Sequence, residues 1–459
     1  MIDQALAYAR TNAPAFLDDL KALVRIPSIS TLPENRADML RTAEWLADHL
    51  RRLGFDRVSI LPTAKHPVVY AEWLKAGSRK PTLLFYGHYD VQPPDPLPLW
   101  KTPPFEPTIV GENMFARGAS DMKGQLIAFL KALESITRTG SLPVNLKIML
   151  EGEEEVGSPS LRAFMGEHKD LLACTYCLNG DGGIQAPDVP SITYTLRGLA
   201  YFEVRVHGPA GDLHSGEFGG AVENPANVLC RVIAGMHDRQ GRVTLPGFYD
   251  QVRPLSQKER AEGRHALRTD AWWLEHTGAP ALGGGEGGYT PTERATARPT
   301  LDVNGLLSGF TGEGSKTVLP SMAMVKFSMR LVPDQDPAAI LRSLGRYLEA
   351  HMPPSVTWEL IEHASSRPAI VERDSGAVRT ASLALEQVWG KKPIFTRQGG
   401  SIPVVGLVQE ILGVDSLLLG FGLPDDNLHA PNEKFNLDNF FNGVLASAFL
   451  YSEIAATRA

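Results

Sequence analysis

The stretch Leu83-Leu84-Phe85-Tyr86-Gly87-His88-Tyr89-Asp90 sets an imidazole and a carboxylate two residues apart at the end of an apolar run. Its first four residues, with Thr82 before them, predict a fully buried strand of the parallel-sheet kind. Residues i and i+2 of an extended segment share a face, so His88 and Asp90 point the same way. A carboxylate beside a histidine is a common support for a metal-ligating imidazole, because it holds the second ring nitrogen and raises ligand basicity. The pair alone fits a plain buried hydrogen bond equally well. Its weight as chemistry comes from signals further along the chain.

Glu153-Glu154-Glu155 follows the apolar run Asn145–Leu150 directly and is bracketed by Gly152 and Gly157, which permit close backbone approach. Carboxylates also favour the first turn of a helix, which is the bland account of the cluster. Next to a metal, adjacent carboxylates suit two jobs: one binds the cation while the other takes a proton from water. Asp121 lies in the small-residue turn Gly118-Ala119-Ser120-Asp121, where an Asx-turn or helix cap is the default role. Asp181 lies just beyond the apolar run Cys174–Leu178. Two loop histidines complete the set: His429 in Asn427-Leu428-His429-Ala430-Pro431-Asn432-Glu433, and His214 in Asp212-Leu213-His214-Ser215-Gly216.

The elements that position these groups alternate between strand and helix. Helices are expected over residues 1–26, around Ala43–Leu53 before Gly54, near residues 122–138, and from Pro159. Strands are expected at Val58–Leu61, Val68–Trp73, Thr82–Tyr86, Asn145–Leu150 and Cys174–Leu178. Such alternation implies an α/β domain with a mainly parallel sheet flanked by helices. Ligands of such sheets bind at the carboxyl ends of strands, where His88, Asp90, Glu154, Glu155 and Asp181 all fall. The texture changes near residue 197. Tyr201–His207 alternates as a half-exposed antiparallel strand does, and Asn224-Pro225 opens a helix. Val325, Phe327, Met329 and Leu331 share one strand face, with Lys326, Ser328 and Arg330 on the other. Residues 197–367 therefore read as an inserted α+β domain, and 1–196 with 368–459 as a discontinuous catalytic domain.

A length of 459 residues calls for more than one core, and 43% hydrophobic with 21% charged residues describes an ordinary globular chain. A net charge of −7 without a basic block argues against nucleic acid and anionic membrane as partners. No apolar run reaches bilayer length and the first residues lack a signal-peptide pattern, so the cytoplasm is the expected compartment. Cys174-Thr175-Tyr176-Cys177 has redox-motif spacing but sits in an apolar run, where cysteine packs as a small hydrophobe. Gly309 to Thr317 imitates a phosphate loop, yet Ser315 interrupts the required ending.

In this order and at these intervals, His88-Tyr89-Asp90, Gly118-Ala119-Ser120-Asp121, Glu154-Glu155, Asp181 and His429 resemble the co-catalytic metallopeptidase family. That family holds carnosinases, aminoacylases, glutamate carboxypeptidases and succinyl-diaminopimelate desuccinylase. The carnosinase-like dipeptidase branch is similar in further motifs: Thr195-Leu196-Arg197-Gly198, Asp212-Leu213-His214-Ser215-Gly216, Lys316-Thr317-Val318, Met329-Arg330-Leu331-Val332-Pro333 and Gly399-Gly400-Ser401-Ile402-Pro403. The resemblance implies two divalent metal ions per subunit, zinc first, with manganese or cobalt as alternatives. It implies Asp121 as the bridging ligand, His88 and Asp181 on one metal, and Glu155 and His429 on the other. It further implies a cis peptide at Asp121-Met122, Asp90 orienting His88, Glu154 as general base and His214 as oxyanion donor. Arg330, Thr317, Ser401 and Gly400 would grip a substrate carboxylate. The inserted domain would act as lid and homodimer interface, His214 serving the neighbouring subunit's site.

The expected reaction is metal-dependent hydrolysis of a dipeptide amide bond. One position departs from the dipeptidase pattern: Gln398 stands where those enzymes show an acid before Gly-Gly-Ser. Hydrolysis of N-acyl amino acids is the enzymatic alternative, and a non-catalytic metal- or peptide-binding descendant is the alternative from another class.

Overall fold

The computed structural model describes residues 2–263 and 268–455. Two compact units divide the chain. The first comprises Met1–Tyr194, Val371–Thr396 and Leu407–Ala459; the second comprises Thr195–Ile370 and Arg397–Gly406.

The first unit is built on a mixed sheet. Its order runs Arg57–Leu61, Val68–Trp73, Asn145–Glu151, Thr82–His88, Tyr176–Asn179, Ser416–Leu418 and then the start of Ser191–Leu196. Pairing is parallel in the middle, where Thr82–His88 lies between Asn145–Glu151 and Tyr176–Asn179 and the latter meets Ser416–Leu418. It is antiparallel towards both edges. The expected α/β domain is present, and its parallel part is the segment that carries the site. The edge strands Arg57–Leu61 and Val68–Trp73 are joined by a link too short for a crossover, which forces them antiparallel.

Helices Ile2–Thr11, Ala13–Val24, Arg36–Arg52, Lys123–Thr139, Gly376–Trp389 and Leu437–Ile454 contribute to one core with the sheet. The stripe Phe16, Leu20, Leu23 and Val24 is buried in it, as are Ala43, Leu46 and Leu50. The single helix expected over residues 1–26 is two. Pro14 sits in the first turn of Ala13–Val24, and a proline ring with no N–H cannot continue the preceding helix. The helix expected from Pro159 begins at Leu161.

The second unit carries a four-stranded antiparallel sheet in the order Thr300–Ser308, Met322–Leu331, Gly198–His207, Thr357–Ser366. Helices Pro225–Gly235 and Pro337–His351 share a core with its buried face, through Val228, Leu229, Val232, Ile340, Leu344 and Leu348. Along Met322–Leu331 burial alternates residue by residue, placing Val325, Phe327, Met329 and Leu331 inside. Asn224 caps its helix by accepting from the Ala226 N–H. The false phosphate loop connects two strands, Thr300–Ser308 and Val318–Leu319, instead of feeding a helix. No described helix is long and apolar enough to cross a membrane.

Candidate metal centre

Three neighbouring parallel strands end side by side, and their ends deliver the chemistry. His88 is the last residue of Thr82–His88 and is fully buried. Asn145–Glu151 runs on into a short 3-10 turn, Glu154–Val156, and Tyr176–Asn179 leads two residues later to Asp181. Gly152 is required by close approach, since a Cβ there would meet the Tyr89 ring at 2.5 Å. Gly157 is required by conformation, with φ at +82°.

Asp121 reaches the same place from the start of helix Lys123–Thr139, and its peptide bond to Met122 is cis. One of its oxygens, Oδ1, lies 3.1 Å from His88 Nε2; the other, Oδ2, lies 2.9 Å from His429 Nε2. His429 Nε2 is also 3.2 Å from Glu155 Oε2. Two sets of donor atoms result, His88 with Asp121 and Asp181, and Asp121 with Glu155 and His429. Within each, the atoms lie within 4.8 Å of one another. Asp121 belongs to both. Glu154 belongs to neither.

Asp90 does more than face His88. His88 Nδ1 meets the Asp90 carbonyl oxygen at 3.1 Å and the carboxylate at 3.4 Å. That buried carboxylate accepts the backbone N–H groups of Glu154 and Glu155 at 3.2 and 3.1 Å. It thus ties two strand ends together. Glu153, by contrast, turns away: its carboxylate accepts from the Thr63 hydroxyl, the His66 N–H and the Ser160 N–H. Those bonds make it a structural anchor and leave Glu154 as the free acid of the trio.

Burial and neighbouring charge raise Asp181 and Glu154. Burial, then the charge of Asp121, pushes the Asp181 carboxyl up to about 7. Burial also lifts Glu154 well above the ordinary carboxylate range; His88 opposes this, while Asp181, Asp121 and Glu155 add to it. Asp121 is held low despite burial, by hydrogen bonds from His429 and His88. His429, bonded to Asp121 and Glu155, is raised to about 10. Four carboxylates around two imidazoles leave negative charge uncompensated, and two donor sets sharing one carboxylate suit a pair of divalent cations. Imidazole with carboxylate is a donor set that zinc, manganese and cobalt accept.

The remaining expected residues lie in the second unit. His214 and Thr317 come together on a two-stranded ribbon, where His214 pairs with Val318 and the Ser215 N–H donates to the Thr317 carbonyl at 3.1 Å. The Gly216 N–H donates to His214 Nδ1 at 3.0 Å, which places the proton of a neutral ring on Nε2 as a donor. Arg330 donates to the Ser401 hydroxyl at 3.0 Å, and Gly400 precedes it in the same loop. Sequence reasoning assigned no role to Arg197, which donates to the Gly399 carbonyl at 2.9 Å. Burial and then the neighbouring charge of Arg330 lower its guanidinium to about 10. Nor did it assign one to Glu433, whose signal was its place four residues after His429.

A profile of peptidase family M20/M25/M40 matches residues 84–451. The Cys-Gly metallodipeptidase of Candida albicans is 32% identical over 94% of this chain and 92% of its own. The human Beta-Ala-His dipeptidase is 30% identical over 99% of this chain and 93% of its own. Among solved structures, an M20 family metallo-carboxypeptidase of Sulfolobus solfataricus superposes with a TM-score of 0.85 at 32% identity, covering 96% of this chain and 99% of that one. Matched along most of its length by the family profile and by enzymes of that family, the chain belongs to peptidase family M20/M25/M40 and is a metallopeptidase.

Proposed function

We propose that this metallopeptidase hydrolyses the amide bond of dipeptides bearing a free terminal carboxylate. The observation that carries this reading is the Asp121 carboxylate shared by two ligand sets, with Glu154 beside them and outside both. His88, Asp121 and Asp181 would hold one divalent ion, and Asp121, Glu155 and His429 the other. Zinc is the first choice; manganese and cobalt are the alternatives. When bound, such ions supply the positive charge that lowers the pKa of a water and polarises the scissile carbonyl.

Glu154 takes the proton of the attacking water and passes it to the leaving amine, a task suited to a carboxyl that burial lifts well above the ordinary carboxylate range. Asp90 keeps Glu154 and Glu155 in register through their backbone N–H groups. His214, with its proton on Nε2, would donate to the developing oxyanion at the neighbouring subunit's site. Arg330, with Ser401, Thr317 and the N–H groups around Gly400, receives the substrate carboxylate. Two guanidiniums near one another, Arg197 and Arg330, support an anion as their ligand.

The second unit is proposed as lid and homodimer surface. Its sheet ends on the edge strand Thr300–Ser308, where Val303, Leu306 and Leu307 are exposed together with the following Phe310. An exposed apolar edge strand is a template for pairing with another chain. Sedimentation of the wild type and of Leu306→Lys tests this: a dimer that the lysine dissociates is expected, and a monomeric wild type would end the proposal. The cytoplasm is the proposed compartment, supported by Cys174, Cys177 and Cys230 all being free thiols.

A second reading is hydrolysis of N-acyl amino acids or of longer peptides at the carboxyl end. The exposed, neutral Gln398 favours it, because no acid stands there to bind a substrate ammonium. Chelator-stripped protein reloaded with zinc, manganese or cobalt should be assayed on a dipeptide, its N-acetylated analogue and a longer peptide. Faster cleavage of the N-acetylated or longer substrate would displace the dipeptide reading. No metal-restored hydrolysis of any of them would sink both.

A further inference from the structure

We infer that Glu433 is a positioning residue that sets the shared ligand Asp121 and the His429 loop in register. The inference rests on the proposed role of Asp121. Glu433 is completely buried, and its two oxygens are committed to the turn that carries Asp121. Oε1 accepts the N–H groups of Ser120 and Asp121, both at 3.0 Å. Oε2 accepts the Gly118 N–H at 2.9 Å and the Arg117 guanidinium at 2.7 Å. Its own carbonyl accepts the Ala116 N–H at 3.0 Å.

The fold brings this about through a small sheet. Lys434–Asn436 pairs antiparallel with Asn113–Phe115, so Glu433 lies opposite Ala116 and the turn beyond it. One residue away, the Asn432 side chain accepts from the Lys101 N–H and donates to the Leu99 carbonyl. Gly118, at φ +82°, lets the turn curl around the carboxylate. Arg117 is as buried as Glu433 and matches its charge. A buried carboxylate is costly unless paired and hydrogen-bonded, and here all its acceptor capacity points at one turn. Asp121 presents one oxygen to His88 and the other to His429 within a few tenths of an ångström of equal distance. That balance needs its backbone and the His429 loop to share a fixed reference, which Glu433 supplies to both.

The test is titration of the metal-free protein with cobalt, followed by its visible absorption and by calorimetry. Glu433→Gln keeps the shape but gives one oxygen site an amide that faces donors. It is expected to weaken cobalt binding at both sites roughly ten- to a hundredfold and to alter the cobalt spectrum. A purely structural role would lower the melting temperature of the metal-free protein while leaving cobalt affinity and spectrum unchanged, and that result overturns the inference. If Glu433→Gln does not fold, Arg117→Lys decides, since it keeps the cation while loosening its bonds to Glu433 and to the Pro93 carbonyl without touching any proposed ligand. Weaker cobalt binding supports the inference; unchanged binding overturns it. Asp121→Asn run in parallel separates the two ideas. If that variant still binds two cobalt ions tightly, the ligand assignment fails; if it does not and the other two variants do, only the role of Glu433 fails.

Discussion

The acid centre of the first unit and the arginine pair of the second show opposite excesses of charge. Around His88 and His429 stand Asp121, Asp181, Glu154 and Glu155, more carboxylates than the imidazoles can neutralise. Around Arg197 and Arg330 the attractive charge acting on both is that of Asp302, which is itself exposed. Burying like charges together is unfavourable for a chain on its own. Each excess therefore points to a ligand of opposite sign, cations in one case and an anion in the other. The two regions also differ in how they are held. The acid centre is braced by buried groups such as Asp90 and Glu433, whereas the arginines lean on backbone carbonyls and a hydroxyl.

The largest expected break comes at the acid centre. Glu154→Gln should retain both metals, checked by elemental analysis, and lose about a hundred- to ten-thousandfold in kcat. Full turnover in that variant would remove Glu154 from the proton-transfer role. At the arginine pair the effect should be smaller and of another kind. Arg330→Ala should lower kcat/KM about ten- to a hundredfold for a free-carboxylate substrate. Its metal content should stay whole, and a carboxyl-amidated substrate should feel little of the change. Equal losses on both substrates would contradict the carboxylate grip.

pH should separate the regions next. The metal-free Asp181 carboxyl is raised to about 7, so below that pH it holds a proton that a cation must displace. His429, raised to about 10, is protonated on both sides of that point. Zinc affinity should therefore rise with pH throughout and fall more steeply, by about a further tenfold per unit, below about pH 7. A zinc dissociation constant with no added slope below neutrality would refute the contribution of Asp181. The guanidiniums remain charged over the same range, so KM for the carboxylate substrate at saturating metal should stay nearly flat. The smallest effect is reserved for Glu153→Gln. With its hydrogen bonds to Thr63, His66 and Ser160 disturbed, that variant should melt lower while kcat changes by less than about threefold. A collapse of kcat at wild-type stability would exchange the parts assigned to Glu153 and Glu154.

Much of the frame was legible because it follows from periodicity. The alternation of Val325, Phe327, Met329 and Leu331 places one face inside whatever the tertiary context, since side-chain direction in a strand repeats every two residues. The strand ending at His88 and the helix after Asp121 could be read in the same way. The break at Asn12 was missed because helical, core-facing residues stand on both sides of it, Ala5, Leu6 and Ala9 before and Phe16 and Leu20 after, while Pro14 restarts the helix. The antiparallel edge was hidden too, because strand direction depends on connection length and pairing partner, which local pattern does not reveal.

At the site, residue types and spacing offered His88, Asp90, Asp121, Glu154, Glu155, Asp181 and His429 only beside plainer structural roles, and it was their shared order, resembling that of a known family, that implied a function for each. Only the tertiary structure decided what surrounds each one. Three adjacent acids read alike as letters; folding bonded Glu153 to three partners and left Glu154 facing the other charges. Glu433 looked like a loop acid until the pairing of Lys434–Asn436 with Asn113–Phe115 set it under the Asp121 turn, 313 residues along the chain from Ser120, whose N–H it accepts. Chemistry of side chains is a local property, whereas burial, pairing and the distance between charges are properties of the packed chain.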